Sequence, residues 1–103
     1  NSLVGSTASD GVGSSVTALS NGAYVVASQY WDNGTATDAG AVTWITGTMA
    51  FGGAVSAANS LVGSTANDQV GSRGITALTN GAYVVRSTSW DNGAVTDAGA
   101  VTW

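Results

Sequence analysis

The sequence predicts an all-β fold built from repeats, and three observations lead to this prediction. Within 103 residues a long phrase occurs twice with few changes, so that Leu3 corresponds to Leu61 and Trp44 to Trp103, with one residue inserted near Gly74. Short runs of β-branched and aromatic residues alternate with Asn-Gly and Asp-Gly turn signals. None of the runs has a helical period. A repeat of this length determines the architecture before any local signal does.

The chain divides into a first repeat unit at residues 1–58 and a second, truncated unit at residues 59–103. An Asn-Gly pair at Asn21-Gly22 predicts a hairpin, because both residues tolerate positive φ. The predicted strands of the first unit are residues 16–19, 23–28, 41–44, 49–51 and one or two segments within 54–63. Those of the second unit are residues 75–78, 82–87 and 100–103. Polar, Gly-rich connections occupy residues 5–14 and 63–74.

These strands are apolar on successive residues, as in Val25-Val26 and Ala41-Val42, and do not alternate cleanly. Strands that are buried on both faces have this pattern. A repeated antiparallel sheet of about four short strands, covered on both faces, is a β-propeller blade, and this is the architecture that we predict. A β-solenoid is the second interpretation, because the repeat is long for one coil. A plain β-sandwich is the third, since it requires no repeated sequence.

The order of the strand phrases predicts that several chains assemble. If a blade consists of the phrases VTAL, AYVV, AVTW and NSLVG, the first blade is complete over residues 16–63, and the second lacks its last strand. Residues 1–5 would supply that strand, from a neighbouring chain or from the same chain in a closed ring. The alternative is that the chain is a piece of a longer array. Two blades leave two sheet faces bare, and repeat proteins usually need about three or more units. We therefore expect a homo-oligomer that closes a ring of roughly four to eight blades.

The composition excludes several classes of function. A net charge of −4 argues against nucleic acid as a partner, because the chain cannot neutralise a run of phosphates. The absence of His and Cys excludes Ser-His-Asp and Cys-His catalysis and a Cys/His zinc site. No stretch is long and apolar enough to cross a bilayer, so membrane insertion is not expected. We expect a protein that is not an enzyme.

The Trp-Asp-Asn-Gly phrases are the candidate ligand-binding loops. An exposed tryptophan stacks on a sugar ring while Asp and Asn bond its hydroxyl groups, which predicts a glycan site. Buried, the same tryptophan packs between blades, which is the more frequent role of a repeated aromatic residue. Trp44 and Trp103 end apolar strands and are expected in the core. The candidate glycan-binding residues are Trp31, Asp32 and Asn33 in the first unit and Trp90, Asp91 and Asn92 in the second.

The same loops offer oxygen ligands for Ca²⁺, which is the one cofactor that the sequence suggests. The candidate ligands are Asp32 and Asp38, with their counterparts Asp91 and Asp97. Their spacing is not that of an EF-hand, and no bidentate Glu follows. Asp beside Gly more often forms a turn by bonding local backbone. For the same reason we do not interpret these carboxylates as the acid and base of a glycosidase.

Four long phrases resemble a known bacterial repeat. NSLVGSTANDQVGS, VTALSNGAYVV, WDNG and TDAGAVTW are similar to a tandem repeat that occurs many times over in very large secreted or surface proteins of bacteria. Many of these look like filamentous-haemagglutinin-type adhesins, and their repeat is thought to form β-propeller blades. The resemblance covers nearly the whole chain and implies a structural, adhesive role at an extracellular or cell-surface location. This chain holds fewer than two full units, whereas those proteins string together many.

Overall fold

The computed structural model describes residues 2–46 and 52–103, and its regular structure there consists of short strands. These two ranges contain no helix, and hence none that is long and apolar enough to cross a membrane. The all-β prediction is confirmed, while the strand predicted at residues 49–51 lies outside the described residues. The strands are β1 (Leu3–Val4), β2 (Ser15–Ala18), β3 (Tyr24–Ser28), β4 (Ala41–Ile45), β5 (Gly53–Ala54), β6 (Ser60–Val62), β7 (Ile75–Ala77), β8 (Tyr83–Ser87) and β9 (Ala100–Thr102).

Four strands form one antiparallel sheet in the order β2-β3-β4-β6. Val26 lies opposite Val16 on one side and Thr43 on the other, and Val42 lies opposite Leu61. Most positions of β3 and β4 are buried, as expected of strands covered on both faces. The four phrases VTAL, AYVV, AVTW and NSLVG of residues 16–63 therefore form a single four-stranded sheet.

The Asn-Gly hairpin between β2 and β3 forms as predicted. The Leu19 N–H donates to the Ala23 carbonyl at 2.9 Å, and the Asn21 Oδ1 accepts from the Ala23 N–H at 3.1 Å. Gly22 has a φ of 85°, a conformation that costs glycine little. The turn before β8 repeats this geometry, with Asn80 in the place of Asn21. Local turn chemistry thus determines the pairing of both hairpins.

The second unit forms an antiparallel sheet of three strands, in the order β7-β8-β9. Among the described residues no fourth strand lies on the outer edge of β9. The β1 strand pairs instead with β5 in a separate parallel pair, in which Leu3 lies opposite Gly53. The β1 strand therefore does not close the second sheet of its own chain.

The two sheets pack through a shared hydrophobic cluster. Its buried members are Leu19, Ala23, Val25, Ala27 and Val42 from the first unit and Val70 and Val85 from the second, with Ile75, Tyr83 and Trp90 packed around them. Burial raises the pKa of the Tyr83 phenol above its ordinary value. A second cluster on the other face of β4 contains Trp31, Ala41 and Val55, with Leu3, Val12 and Val62 packed against it. The first sheet is thus covered on both faces.

The expectation that Trp44 and Trp103 lie in the core is wrong for the single chain. Trp44 is 43% exposed and Trp103 is 84% exposed. Side chains two residues apart on a strand share a face, so Trp44 lies on the same face as Val42, which the second unit covers. The exposure of Trp44 means that this cover does not extend to the end of β4. Trp103 occupies the equivalent position in the second unit, where nothing among the described residues covers it.

Candidate functional site

Each Trp-Asp-Asn-Gly loop closes on itself through hydrogen bonds. In the first loop, the backbones of Asn33 and Ala36 exchange two bonds, at 3.0 and 2.9 Å. The Asp32 Oδ1 accepts from the Asp38 N–H at 2.9 Å, and Asp38 has a φ of 55°, which Asp tolerates better than most residues. The second loop makes the same three bonds between Asn92 and Val95 and between Asp91 and Asp97. The carboxylates of Asp32 and Asp91 thus bond local backbone, as turn-forming aspartates do.

The two loops differ in how far their tryptophans are exposed. Trp31 is buried in the second cluster, so its ring cannot stack on a sugar in this conformation. Its Nε1 has no hydrogen-bond partner among the described residues. Asn33 is also engaged, because its Nδ2 donates to the Gly63 carbonyl at 2.9 Å. In the second unit Trp90 is half-buried and Asn92 is exposed. The side chains predicted to bind a glycan are therefore more accessible in the second loop than in the first.

If the second loop binds a glycan, Asn92→Ala should weaken binding on a glycan array about tenfold or more. The sugar hydroxyl that the Asn92 amide bonds would then lose its hydrogen-bond partner. Trp90→Ala is expected to weaken binding at least as much, through loss of stacking. Trp103→Ala is the control, since it removes an exposed tryptophan outside the loop. Glycan binding that persists unchanged in both loop variants would exclude this interpretation.

The predicted calcium ligands are divided between the two loops. Asp32 and Asp38 belong to the first loop, and Asp91 and Asp97 to the second. Within residues 2–46 and 52–103, no three acidic side chains come together as a metal-binding group. One carboxylate oxygen of Asp32 and one of Asp91 already accept a backbone N–H. Calcium binding at these positions stays a prediction.

Two buried aspartates that we did not predict as functional join each repeat to its loop. The Asp10 Oδ2 accepts from both N–H groups of the preceding Ser-Thr pair at 2.8 Å, and its Oδ1 accepts from the Asp32 N–H at 3.0 Å. Asp68 makes the same three bonds in the second unit, at 3.1, 3.0 and 2.9 Å, and the last of them reaches Asp91. The phrase Ser-Thr-Ala-x-Asp, present in both copies, is the sequence signal for this arrangement.

A junction of backbone hydrogen bonds holds the second unit on the first. The N–H groups that open the second unit donate to carbonyls of the segment before β4. The donor–acceptor pairs are Asn67 with Thr37 at 2.8 Å, Gln69 with Asp38 at 3.0 Å, Val70 with Ala39 at 2.9 Å and Gly63 with Gly40 at 3.0 Å. Because the contacts are made by the main chain, this segment can accept any unit whose opening loop has the same backbone conformation.

All-β units that repeat in sequence and contact their neighbours through such junctions define a modular repeat protein. The chain belongs to the family described as a repeat of unknown function (DUF5650), whose model matches residues 1–14, 18–72 and 77–103. The unmatched residues 73–76 include the position of the inserted residue in the second copy. No curated protein and no solved structure matches the chain.

Proposed function

We propose that this chain is a structural, adhesive repeat module of a secreted or surface protein of bacteria, and that its units assemble into a β-propeller ring. The observation that carries the proposal is the contrast between the two sheets. The first has four strands and both faces covered, whereas the second has three strands and a bare outer face. A repeat that is complete only when another unit follows it is a building block.

The bare face of the second sheet is apolar. Val42, which the second unit covers, is 2% exposed, whereas its counterpart Val101 is 72% exposed. Trp103, which follows β9, is also 84% exposed. Exposed apolar surface of this kind marks a site of association. We infer that the surface is covered by a further unit, as it is in the first sheet.

The adhesive part of the proposal is supported by the resemblance of the repeat phrases to those of large bacterial surface proteins. An extracellular location agrees with a surface that is polar through hydroxyl and amide groups, since charged residues make up only 8% of the chain. The repeated all-β fold supports the proposed role as a repeat module, and the sequence resemblance supports the proposed surface location.

Light scattering on a sizing column tests the proposed assembly. We expect a single mass that is a small multiple, roughly two to four times, of the 10.1 kDa of one chain. The mass should not change with concentration, because a closed ring has no free interface. A folded monomer at all concentrations would contradict the proposal. Species that grow with concentration would indicate an open filament in place of a ring.

A further inference from the structure

We propose that a second copy of this chain adds its β1 strand to the free edge of β9, with Val4 seated beside Trp90. The contact between chains would then repeat the junction that joins the two units within one chain. This inference rests on the proposed self-assembly and specifies the surfaces that carry it.

The register follows from the sequence identity of residues 1–5 and residues 59–63, both of which read NSLVG. In the first sheet, the second of these segments forms β6 and pairs with β4. Its pairs are Val62 with Ala41, Leu61 with Val42 and Ser60 with Thr43, the last joined by a hydroxyl contact of 2.6 Å. Transferred to the second sheet, these pairs are Val4 with Ala100, Leu3 with Val101 and Ser2 with Thr102.

The β1 strand has an edge available for this pairing. Its partner β5 uses the carbonyls of Ser2 and Val4, which accept from the Gly53 and Val55 N–H groups at 2.9 and 3.0 Å. Successive residues of a strand direct their backbone groups to opposite edges, so the N–H and carbonyl of Leu3 lie on the other edge. The β1–β5 pair can therefore dock as a unit and extend the second sheet to β7-β8-β9-β1-β5.

A cavity marks the place that Val4 would fill. In the first unit, Val62 packs against the cluster that contains Trp31. In the second unit, the equivalent space is a cavity of about 290 Å³ beside Trp90. Val4 is the counterpart of Val62, and in the single chain it is 47% exposed. Leu61, Val70, Trp90 and Ala100 line the cavity, and their counterparts Leu3, Val12, Trp31 and Ala41 belong to the cluster around Trp31.

The loops on both sides already have the conformation that the junction requires. Ser9 has a φ of 67°, and its counterpart Asn67 in the formed junction has a φ of 65°. On the accepting side, Asp97 has a φ of 53° and its counterpart Asp38 has a φ of 55°. Both Ser9 and Asp97 are exposed in the single chain. Docking therefore needs little ordering of either loop, which favours association.

One residue of the accepting face departs from this equivalence. Arg86 stands where the first unit has Ala27, a buried member of the shared cluster. Its Nη2 donates to the Arg73 carbonyl at 2.9 Å, and Arg86 lies directly opposite Val101 of the accepting face. Arg86→Ala restores the side chain of the first unit, and we expect it to tighten the association between chains about tenfold, since no charge then faces the interface.

Disulfide cross-linking tests the register, and the cysteine-free chain suits it. Ser2 and Thr102 would form a non-hydrogen-bonded antiparallel pair, with Cα atoms about 4.5 Å apart, within the range that a disulfide spans. We expect a Ser2→Cys, Thr102→Cys chain to give covalent multimers on a non-reducing denaturing gel. The matched control is Ser2→Cys with Val101→Cys, because a shift of one residue turns the second thiol to the other face.

The outcomes separate this inference from the proposed function. Multimers by light scattering without cross-linking at Ser2 and Thr102, or with equal cross-linking in the control, would overturn the inference and leave self-assembly standing. Specific cross-links in species that grow without limit would support the interface and contradict the closed ring. A second variant, Val4→Asp, should weaken association about a hundredfold or more by placing a carboxylate beside Trp90. Its control is Tyr30→Asp, because Tyr30 is 44% exposed and Ser89 replaces it in the second copy.

Discussion

Asp68→Asn is expected to lower the free energy of unfolding by about 3 kcal/mol, since hydrogen bonds to a charged acceptor are strong and the donors left behind are desolvated. Asp68 is fully buried, and both of its oxygens accept backbone N–H groups. Asn has the same shape but only one acceptor oxygen. Its amide NH₂ would face either the Ser64 and Thr65 N–H groups or the Asp91 N–H, and in both orientations donors would oppose donors.

Urea denaturation at a fixed protein concentration measures this loss. Asp97→Asn is the matched control, because Asp97 is exposed and contributes its backbone N–H to the loop. Asn also tolerates the left-handed φ of Asp97. We expect the control to change the free energy of unfolding by no more than about 0.5 kcal/mol. Equal losses in the two variants would mean that the buried carboxylate does not hold the loop in solution.

Gly40→Ala is expected to destabilise the chain by about 3 kcal/mol or more, because it combines backbone strain with overpacking. Gly40 has a φ of 81°, and a Cβ there would lie 2.8 Å from the Gln69 carbonyl carbon and from the Val70 oxygen. These atoms are backbone and belong to the junction, so they cannot move without breaking its hydrogen bonds. The substitution therefore tests whether the two units are joined as the structure has them.

Gly99→Ala is the matched control for Gly40→Ala, since Gly99 occupies the same position in the second unit. Its φ of 76° imposes a similar backbone cost, about 1–2 kcal/mol. The nearest atom to a Cβ there is the Thr88 carbonyl oxygen, at 3.5 Å, which is ordinary contact. Thermal unfolding at high dilution, where chains are separate, should show a clearly larger loss for Gly40→Ala. The same loss in both would count against the junction.

The strands and hairpins could be predicted because their signals are local. β3 is a run of Tyr and Val that fits a sheet buried on both faces, and Asn21-Gly22 determines how it turns back on β2. The repeat then allowed the same elements to be predicted in the second unit. Hence all strands of the two antiparallel sheets were predicted within a residue or two of their observed bounds.

The contacts between units could not be predicted, because they depend on which segments meet in space. Nothing in the short β5 strand, Gly53–Ala54, indicates a parallel partner fifty residues away in β1, Leu3–Val4. Trp44 lies in an apolar strand, yet its exposure depends on how much of β4 the second unit covers. The burial of Asp68 could not be predicted, because a buried carboxylate is unusual and the three backbone donors that bond it come from two separate segments.

The junction between units has an evolutionary consequence. Its hydrogen bonds join main-chain groups, such as Val70 N–H to Ala39 carbonyl at 2.9 Å. Compatibility between neighbours therefore depends on a few glycines and aspartates, and much less on the remaining sequence. We expect that genes for such proteins can gain or lose whole repeats by unequal recombination without disturbing the junctions between units. Each surviving repeat is then free to diversify its outward residues, so that length and surface chemistry vary independently.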